Sequence, residues 1–196
     1  MPRLRVARDS TALITIDIQR DYFPGGRFPL WRPGRALASV RVALEAGREA
    51  RLPIFHVRHE SLMPGSRFLL PGTDGALLHP GLGIPADDSE PIVLKHEPDS
   101  FLETELEALL QAKGVEHVIW MGMMTWMCVD TTVRAATARG YQNILVEDAC
   151  AAGWLLKGHL PVFPWTSHRA FVAALGARFA TVVRARELID ALLADG

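Results

Sequence analysis

The strongest constraint on the fold is an alternation of short apolar runs with longer segments that carry apolar residues at helical spacing. The runs that predict buried strands are ALITID (12–17), PIFHVRH (53–59), PIVLK (91–95), HVIWMG (117–122), NILVED (143–148) and FATVV (179–183). The segments that predict helices are 34–51, 101–114, 125–139, 166–178 and 185–195. Because strands and helices alternate along the chain, the pattern predicts an α/β fold, a parallel sheet with helices on both faces.

Composition limits the classes of protein to which the chain can belong. It has 196 residues, a formal net charge of −1 and two cysteines. This length predicts one domain over residues 1–196, and the near-neutral charge gives no reason to expect a nucleic-acid or membrane partner. No apolar run reaches the ~18 residues of a membrane span, and residues 1–10 do not resemble a secretory signal. We therefore expect a cytoplasmic protein without a disulfide framework.

Three chemically distinctive residues follow or end predicted strands. Asp17 ends the first strand, Lys95 ends the third, and the fourth runs through MGMMT to Cys128. Because ligands bind at the carboxyl ends of parallel strands, these side chains are expected along one edge of the sheet. The spacings do not give the strand order, so contact between the three residues is a hypothesis. Each also has a structural explanation: a loop-starting acid, a lysine reaching into water, and a packed thiol.

The convergence of these three chemistries favours a catalytic role. A thiol in the first turn of a helix, near a lysine, is expected to favour the thiolate, and a nearby carboxylate can act as a base. Cys128 is then the candidate nucleophile. The second cysteine, Cys150, is predicted to be a buried core residue.

Three segments carry a family resemblance: IDIQRDYFPGG, KHEPDSF and GMMTWMCVDTTVRAATARGYQNILVEDACA. They resemble signature segments of the isochorismatase-like cysteine hydrolase superfamily, which also contains the nicotinamidases, and the similarity runs from about Ala12 to Leu188. The resemblance implies a three-layer α/β/α sandwich with a six-stranded parallel, Rossmann-like sheet, and a homo-oligomer, at least a dimer.

The resemblance also implies roles for particular residues. The catalytic triad of Asp, Lys and Cys corresponds to Asp17, Lys95 and Cys128. A non-proline cis peptide bond corresponds to Met123–Met124, and the backbone amides of Met124 and Cys128 would form an oxyanion hole.

Departures from the family narrow the activity. Isochorismatases proper typically have glycine where this chain has Cys128, which argues against vinyl-ether cleavage. Nicotinamidases typically carry an Asp-x-His metal-binding segment, whereas this chain has HVRHES with His56 and His59. We therefore predict no catalytic metal and no cofactor. Trp126 replaces a histidine common in related cysteine hydrolases, which predicts a more apolar pocket.

Two long loops, 22–33 and 59–90, interrupt the pattern, and loops of this length are often functional. The candidate pocket residues are Tyr22, Phe23, His59, Trp126 and Trp154. Loop aromatics can equally be oligomer contacts. Apolar residues in the second loop also favour a homo-oligomer, unless the loop folds back onto its own domain.

These observations favour a metal-independent cysteine hydrolase that cleaves a C–N bond of a small amide, ureido or carbamoyl compound. Two alternatives stay open. One is a nicotinamidase-type amidase. The other is a non-catalytic oligomer that binds a small molecule and uses Cys128 as a redox sensor.

Overall fold

The computed structural model describes residues 4–157 and 160–194. The strands are β1 Thr11–Ile16, β2 Ile54–His59, β3 Ile92–Lys95, β4 His117–Met123, β5 Gln142–Ala151, β6 Leu155–Lys157, β7 Leu160–Val162 and β8 Thr181–Val183. The α-helices are α1 Pro33–Glu49, α2 Leu106–Ala112, α3 Asp130–Ala138, α4 Pro164–Arg178 and α5 Ala185–Leu193. A π-helical turn, Thr125–Val129, leads into α3, and single 3₁₀ turns lie at Arg8–Ser10, Arg20–Tyr22, Asp74–Ala76 and Pro80–Leu82.

Six strands form one sheet in the order β3-β2-β1-β4-β5-β8, and every neighbouring pair is parallel. From β1 the chain builds outward to β3, then returns to place β4 on the other side of β1. The strand order therefore reverses between β1 and β4, where an open α/β sheet leaves a crevice at its carboxyl edge. This sheet confirms the predicted fold class.

Helices cover both faces of the sheet, which makes three layers. Buried residues of α1 and α5 share one core with Leu13, and residues of α2, α3 and α4 share the other with Ile14 and Ile16. Successive β1 residues thus enter opposite cores. This explains why the strand is apolar throughout rather than alternating.

Besides shifts at several element ends, such as β5 continuing to Ala151, the structure differs from the sequence prediction in one helix start and one hairpin. The helix predicted from residue 101 begins at Leu106, because Thr104 Oγ1 donates to the Ser100 carbonyl at 2.6 Å and Ser100 bonds to Thr132. Such side-chain bonds compete with the first turn of a helix. The β6–β7 hairpin was not predicted, since three-residue strands carry too little periodicity. The predicted helix end at Asp195 and the residues 1–3 lie outside the described residues.

No helix within the described ranges is long and apolar enough to cross a membrane.

Candidate active site

An acid and a lysine from different strands form a buried ion pair at the carboxyl edge of the sheet. Asp17 follows β1 in a left-handed backbone conformation with φ 50°, and Lys95 is the last residue of β3. Lys95 Nζ lies 3.0 Å from Asp17 Oδ2, and neither side chain is exposed. Lys95 Nζ also donates to the Pro98 carbonyl at 3.0 Å. Because β2 separates β1 from β3, the long lysine side chain spans the end of that strand.

The thiol reaches the same place from β4. Cys128 lies in the π-helical turn, after a Met123–Met124 peptide bond that is cis. Its sulfur and a carboxylate oxygen of Asp17 lie within 4.8 Å of each other. Gly122 permits this approach of β4 to β1, since its φ is 148° and a Cβ there would be 2.2 Å from the Ile16 carbonyl oxygen. The structure therefore brings Asp17, Lys95 and Cys128 together.

Electrostatics hold the Cys128 thiol in its neutral form. Burial, followed by the negative charge of Asp17, raises the pKa of Cys128 to about 12, and Lys95 only partly opposes this. Burial disfavours the Lys95 ammonium, but Asp17 and Cys128 outweigh it and raise the pKa of Lys95. The expectation that these surroundings favour the thiolate is therefore wrong, because desolvation and the adjacent carboxylate outweigh the Lys95 ammonium.

A fourth polar side chain, His59, joins these three from the end of β2. Its Nδ1 is buried and has no hydrogen-bond partner among the described residues, and a ring nitrogen lies within 4.8 Å of both Asp17 and Cys128 ligand atoms. Burial lowers the pKa of His59; Asp17 opposes this, while Lys95 and His96 add to it. His59 is therefore neutral at physiological pH and can donate one hydrogen bond and accept another.

A cavity of about 710 Å³ opens onto this cluster. Tyr22, His59, Met124 and Cys128 line its inner end, and residues 61–69 and 96–98 form its outer walls. Tyr22, Phe28 and Phe68 form an aromatic wall in which the Phe28 and Phe68 rings stack with centroids 4.6 Å apart. Most of the cavity surface is apolar, although its outer walls also carry polar side chains, among them Arg67, His96 and Glu97.

Three candidate pocket residues do not line this cavity, which corrects the prediction made for them. Phe23 packs on His79, with ring centroids 4.2 Å apart, because it points away from its neighbour Tyr22. Met127 and Cys128 of the π-helical turn face the cavity, as does the preceding Met124. Trp126 points elsewhere and donates to the Gly153 carbonyl at 3.1 Å. Trp154 is half exposed and contacts Phe163 edge to face.

Two polar residues between the predicted strand and Tyr22 were missed, although they lie in the quoted segment IDIQRDYF. Gln19 is buried; its side chain donates to the carbonyls of His59 and Ala76 and accepts from the His59 amide. Asp21 is buried and accepts from the amides of Leu69, at 2.6 Å, and Arg27, at 3.0 Å. These bonds connect both long loops to the site. The only sequence signal was a pair of polar residues directly after a buried strand.

The first histidine of HVRHES, His56, has a different role. His56 is fully buried between Thr15 and Glu90, with Nδ1 2.7 Å from Thr15 Oγ1 and Nε2 2.8 Å from Glu90 Oε2. Glu90 also forms an ion pair with Arg48 at 2.6 Å. Successive strand residues face opposite sides, so His56 enters this structural network while His59 reaches the cavity.

Within residues 4–157 and 160–194, Asp17, His59 and Cys128 could hold a metal ion, because they offer an oxygen, a nitrogen and a sulfur close together. Their chemistry suits zinc or cobalt better than magnesium or calcium. Two of the three also belong to the candidate catalytic triad.

Fold and site together define a three-layer α/β protein with an acid, a lysine and a thiol at the switch point of its sheet. Residues 11–187 match the model of the Isochorismatase domain. The chain belongs to the isochorismatase family, whose members are hydrolases.

Three comparisons show how close its relatives are. The chain is 39% identical over 173 residues to the isochorismatase family protein YddQ of Bacillus subtilis (strain 168), covering 88% of this chain and 95% of that one. It is 33% identical over 140 residues to a streptothricin hydrolase of Streptomyces noursei, and the match covers 71% of this chain and 49% of that one. The crystal structure of an isochorismatase hydrolase from Oleispira antarctica superposes with a TM-score of 0.86 at 36% identity, and the match covers 95% of this chain and 99% of that one.

Proposed function

We propose that this isochorismatase-family hydrolase is a metal-independent cysteine hydrolase that cleaves a C–N bond of a small amide, ureido or carbamoyl compound. The observation that carries the proposal is the buried Asp17–Lys95 ion pair, with its 3.0 Å separation, beside the Cys128 thiol at the base of a cavity. A buried ion pair is costly to desolvate and contributes little net stability, so its position beside a thiol suggests a chemical role.

In the first half of the reaction, Asp17 removes the Cys128 proton as the sulfur attacks the substrate carbonyl carbon. The attack needs the base because the pKa of Cys128, about 12, leaves the resting thiol protonated. Lys95 holds the Asp17 carboxylate in place and offsets the negative charge. The amides of Met124 and Cys128 are the proposed donors to the oxyanion.

In the second half, the same acid returns its proton. Protonated Asp17 delivers it to the leaving nitrogen as the C–N bond breaks, which leaves a thioester on Cys128. Asp17, again a carboxylate, then takes a proton from water as the water attacks the thioester. As that intermediate collapses, the C–S bond breaks, the acid leaves, and the proton on Asp17 passes to the Cys128 sulfur and restores the thiol.

The cavity limits the substrate class. Its volume suits a small molecule, and its aromatic wall of Tyr22, Phe28 and Phe68 favours a substrate with an apolar portion. Because the Cys128 thiol lies at the base, the scissile amide would enter first. The similarity to a streptothricin hydrolase supports hydrolysis as the reaction class.

An assay of ammonia release tests the proposal. The panel contains small primary amides, ureido acids and carbamoyl compounds, with nicotinamide included. We expect turnover of at least one compound by the wild-type protein and by Cys150→Ala, and none by Cys128→Ala. Turnover that survives Cys128→Ala would exclude the thiol as the nucleophile. Nicotinamide as the preferred compound would favour the amidase alternative, and a protein inert to the whole panel would favour the redox-sensing binder.

Exhaustive chelation tests the metal-independent part of the proposal. We expect turnover to persist without added metal. Activity that disappears on chelation and returns with zinc, manganese or iron would overturn it.

A further inference from the structure

We propose that Asp17, His59 and Cys128 also form an inhibitory site for a divalent transition metal such as zinc or cobalt. A metal ion bound there would occupy both the proposed nucleophile and the proposed base. The same cluster would then exist in a metal-free, active form and a metal-bound, inactive form. This extends the metal-independent reaction: metal is not required, and it competes with the chemistry.

The donor atoms are almost at coordination distances. One oxygen, one nitrogen and one sulfur, from three different segments of the chain, lie within 4.8 Å of one another. In a tetrahedral zinc site with bonds of 2.0–2.3 Å, ligand atoms are separated by about 3.3–3.8 Å. A closing movement of about 1 Å, shared among three side chains, would therefore complete the protein part of the site. The cavity supplies a route for the ion and room for a water or substrate atom as fourth ligand.

Unpartnered buried atoms are the second observation that points to a ligand. Asp17 Oδ2 is paired with the Lys95 ammonium at 3.0 Å, but Asp17 Oδ1 is buried and has no partner within the described residues. His59 Nδ1 is likewise buried and unpartnered there. Most buried polar atoms have a partner, so two unpartnered atoms in one cluster, Asp17 Oδ1 and His59 Nδ1, are unusual. A metal ion would satisfy both atoms.

The ion pair sets the strength of this site. The Lys95 ammonium is 3.0 Å from Asp17 and would repel a dication bound beside it. Lys95 therefore keeps the site weak in the wild-type protein and favours the metal-free form. Binding must also release the Cys128 proton, since the thiolate is the ligand, so affinity rises with pH.

Cobalt titration tests the site without any substrate, because cobalt bound to a thiolate gives a charge-transfer absorption band in the near ultraviolet. We expect the band in the wild-type protein, and its loss in Cys128→Ser and in His59→Gln. The matched controls are Cys150→Ser, the other free cysteine, and His96→Gln, another histidine that lines the cavity. Both controls should retain the band. The proposal would be overturned by any of three results: the wild type shows no band, Cys128→Ser keeps the band, or His96→Gln loses it.

The same titration of Lys95→Met tests the repulsion. Removing the ammonium should tighten cobalt binding by about tenfold or more, while any turnover is lost. Unchanged or weaker binding by a folded Lys95→Met protein would contradict the role given to Lys95. If that variant does not fold, the comparison of His59→Gln with His96→Gln still tests whether the metal site exists. Because binding is read by absorbance, failure of the metal site is distinguishable from failure of the hydrolase proposal.

Discussion

At the scale of single residues, the site depends on charges placed where water is excluded. Asp17 and Lys95 form an ion pair without exposure to solvent, and the thiol of Cys128 stays neutral because it is buried beside the carboxylate. Each of the three groups constrains the charge of the others. Removing the cation should therefore change both stability and chemistry.

We expect Lys95→Met to destabilise the protein by about 3–5 kcal/mol, because it leaves the Asp17 carboxylate buried without its partner. Urea unfolding measures the change, with the exposed Lys113→Met as the matched control. The control should stay within about 0.5 kcal/mol of wild type. A Lys95→Met protein as stable as the control would mean that the ion pair contributes nothing to the fold.

At the scale of elements, the cavity depends on loops anchored to the end of β1. Gln19 bonds to the end of β2 and to the carbonyl of Ala76, and Asp21 holds the amides of Arg27 and Leu69. The wall that contains Phe68 is therefore positioned by two polar side chains next to the proposed base. These loops are ordered by directed bonds rather than by secondary structure.

We expect Asp21→Ala to loosen the loop between Ser61 and Leu69 without unfolding the sheet. Leaving two amides without an acceptor costs about 1–3 kcal/mol each, and the loop should open first. Limited trypsin digestion measures this through cleavage after the exposed Arg67. Cleavage should accelerate in Asp21→Ala but not in the control Asp74→Ala, which changes an exposed acid elsewhere in the long loop 59–90. Equal cleavage rates in the two variants would contradict the anchoring role.

The elements also show what could be predicted from sequence. The six sheet strands and five helices follow from periodicity, because β1 and β4 are buried on both faces and α1 is amphipathic. Asp17, Lys95 and Cys128 could be selected because they terminate such elements. Three features could not be predicted from sequence: the strand order, the β6–β7 hairpin and the direction of Trp126. They depend on contacts distant in sequence or on a π-helical turn. The resting state of the thiol was predicted wrongly, because burial is a property of the folded chain.

At the scale of the whole molecule, one buried histidine and two partly buried ones couple stability to pH. Burial lowers the pKa of His56, His59 and His168, despite opposing acids at each. The unfolded chain therefore binds more protons than the native protein at mildly acidic pH, so stability is full above about pH 6.5 and falls as the pH drops below it. The melting temperature by circular dichroism should decrease over this range. A constant melting temperature between about pH 7.5 and 5.5 would contradict the burial of these rings as neutral groups.

Assembly is the second expectation for the whole molecule. Part of the long loop folds back, since Leu69 is buried, but Leu62 and Met63 remain 62% and 73% exposed, and Leu156 and Leu160 of the hairpin are 69% and 80% exposed. Exposed apolar side chains of this size suggest a contact with another subunit. We expect at least a dimer by light scattering at micromolar concentration. A monomer mass would contradict this expectation.

The most direct test of the account is the rate at which Cys128 is acylated by an activated ester, p-nitrophenyl acetate, followed by intact mass and by peptide mapping. The account predicts a single acetyl group on Cys128 in the wild-type protein and about 100- to 10,000-fold slower acylation of Asp17→Asn, a variant of nearly the same shape that cannot accept the proton. Melting temperatures of the same preparations separate lost chemistry from lost folding. An acetyl group found on Cys150, or a stable Asp17→Asn protein acylated at the wild-type rate, would contradict the proposed nucleophile and base.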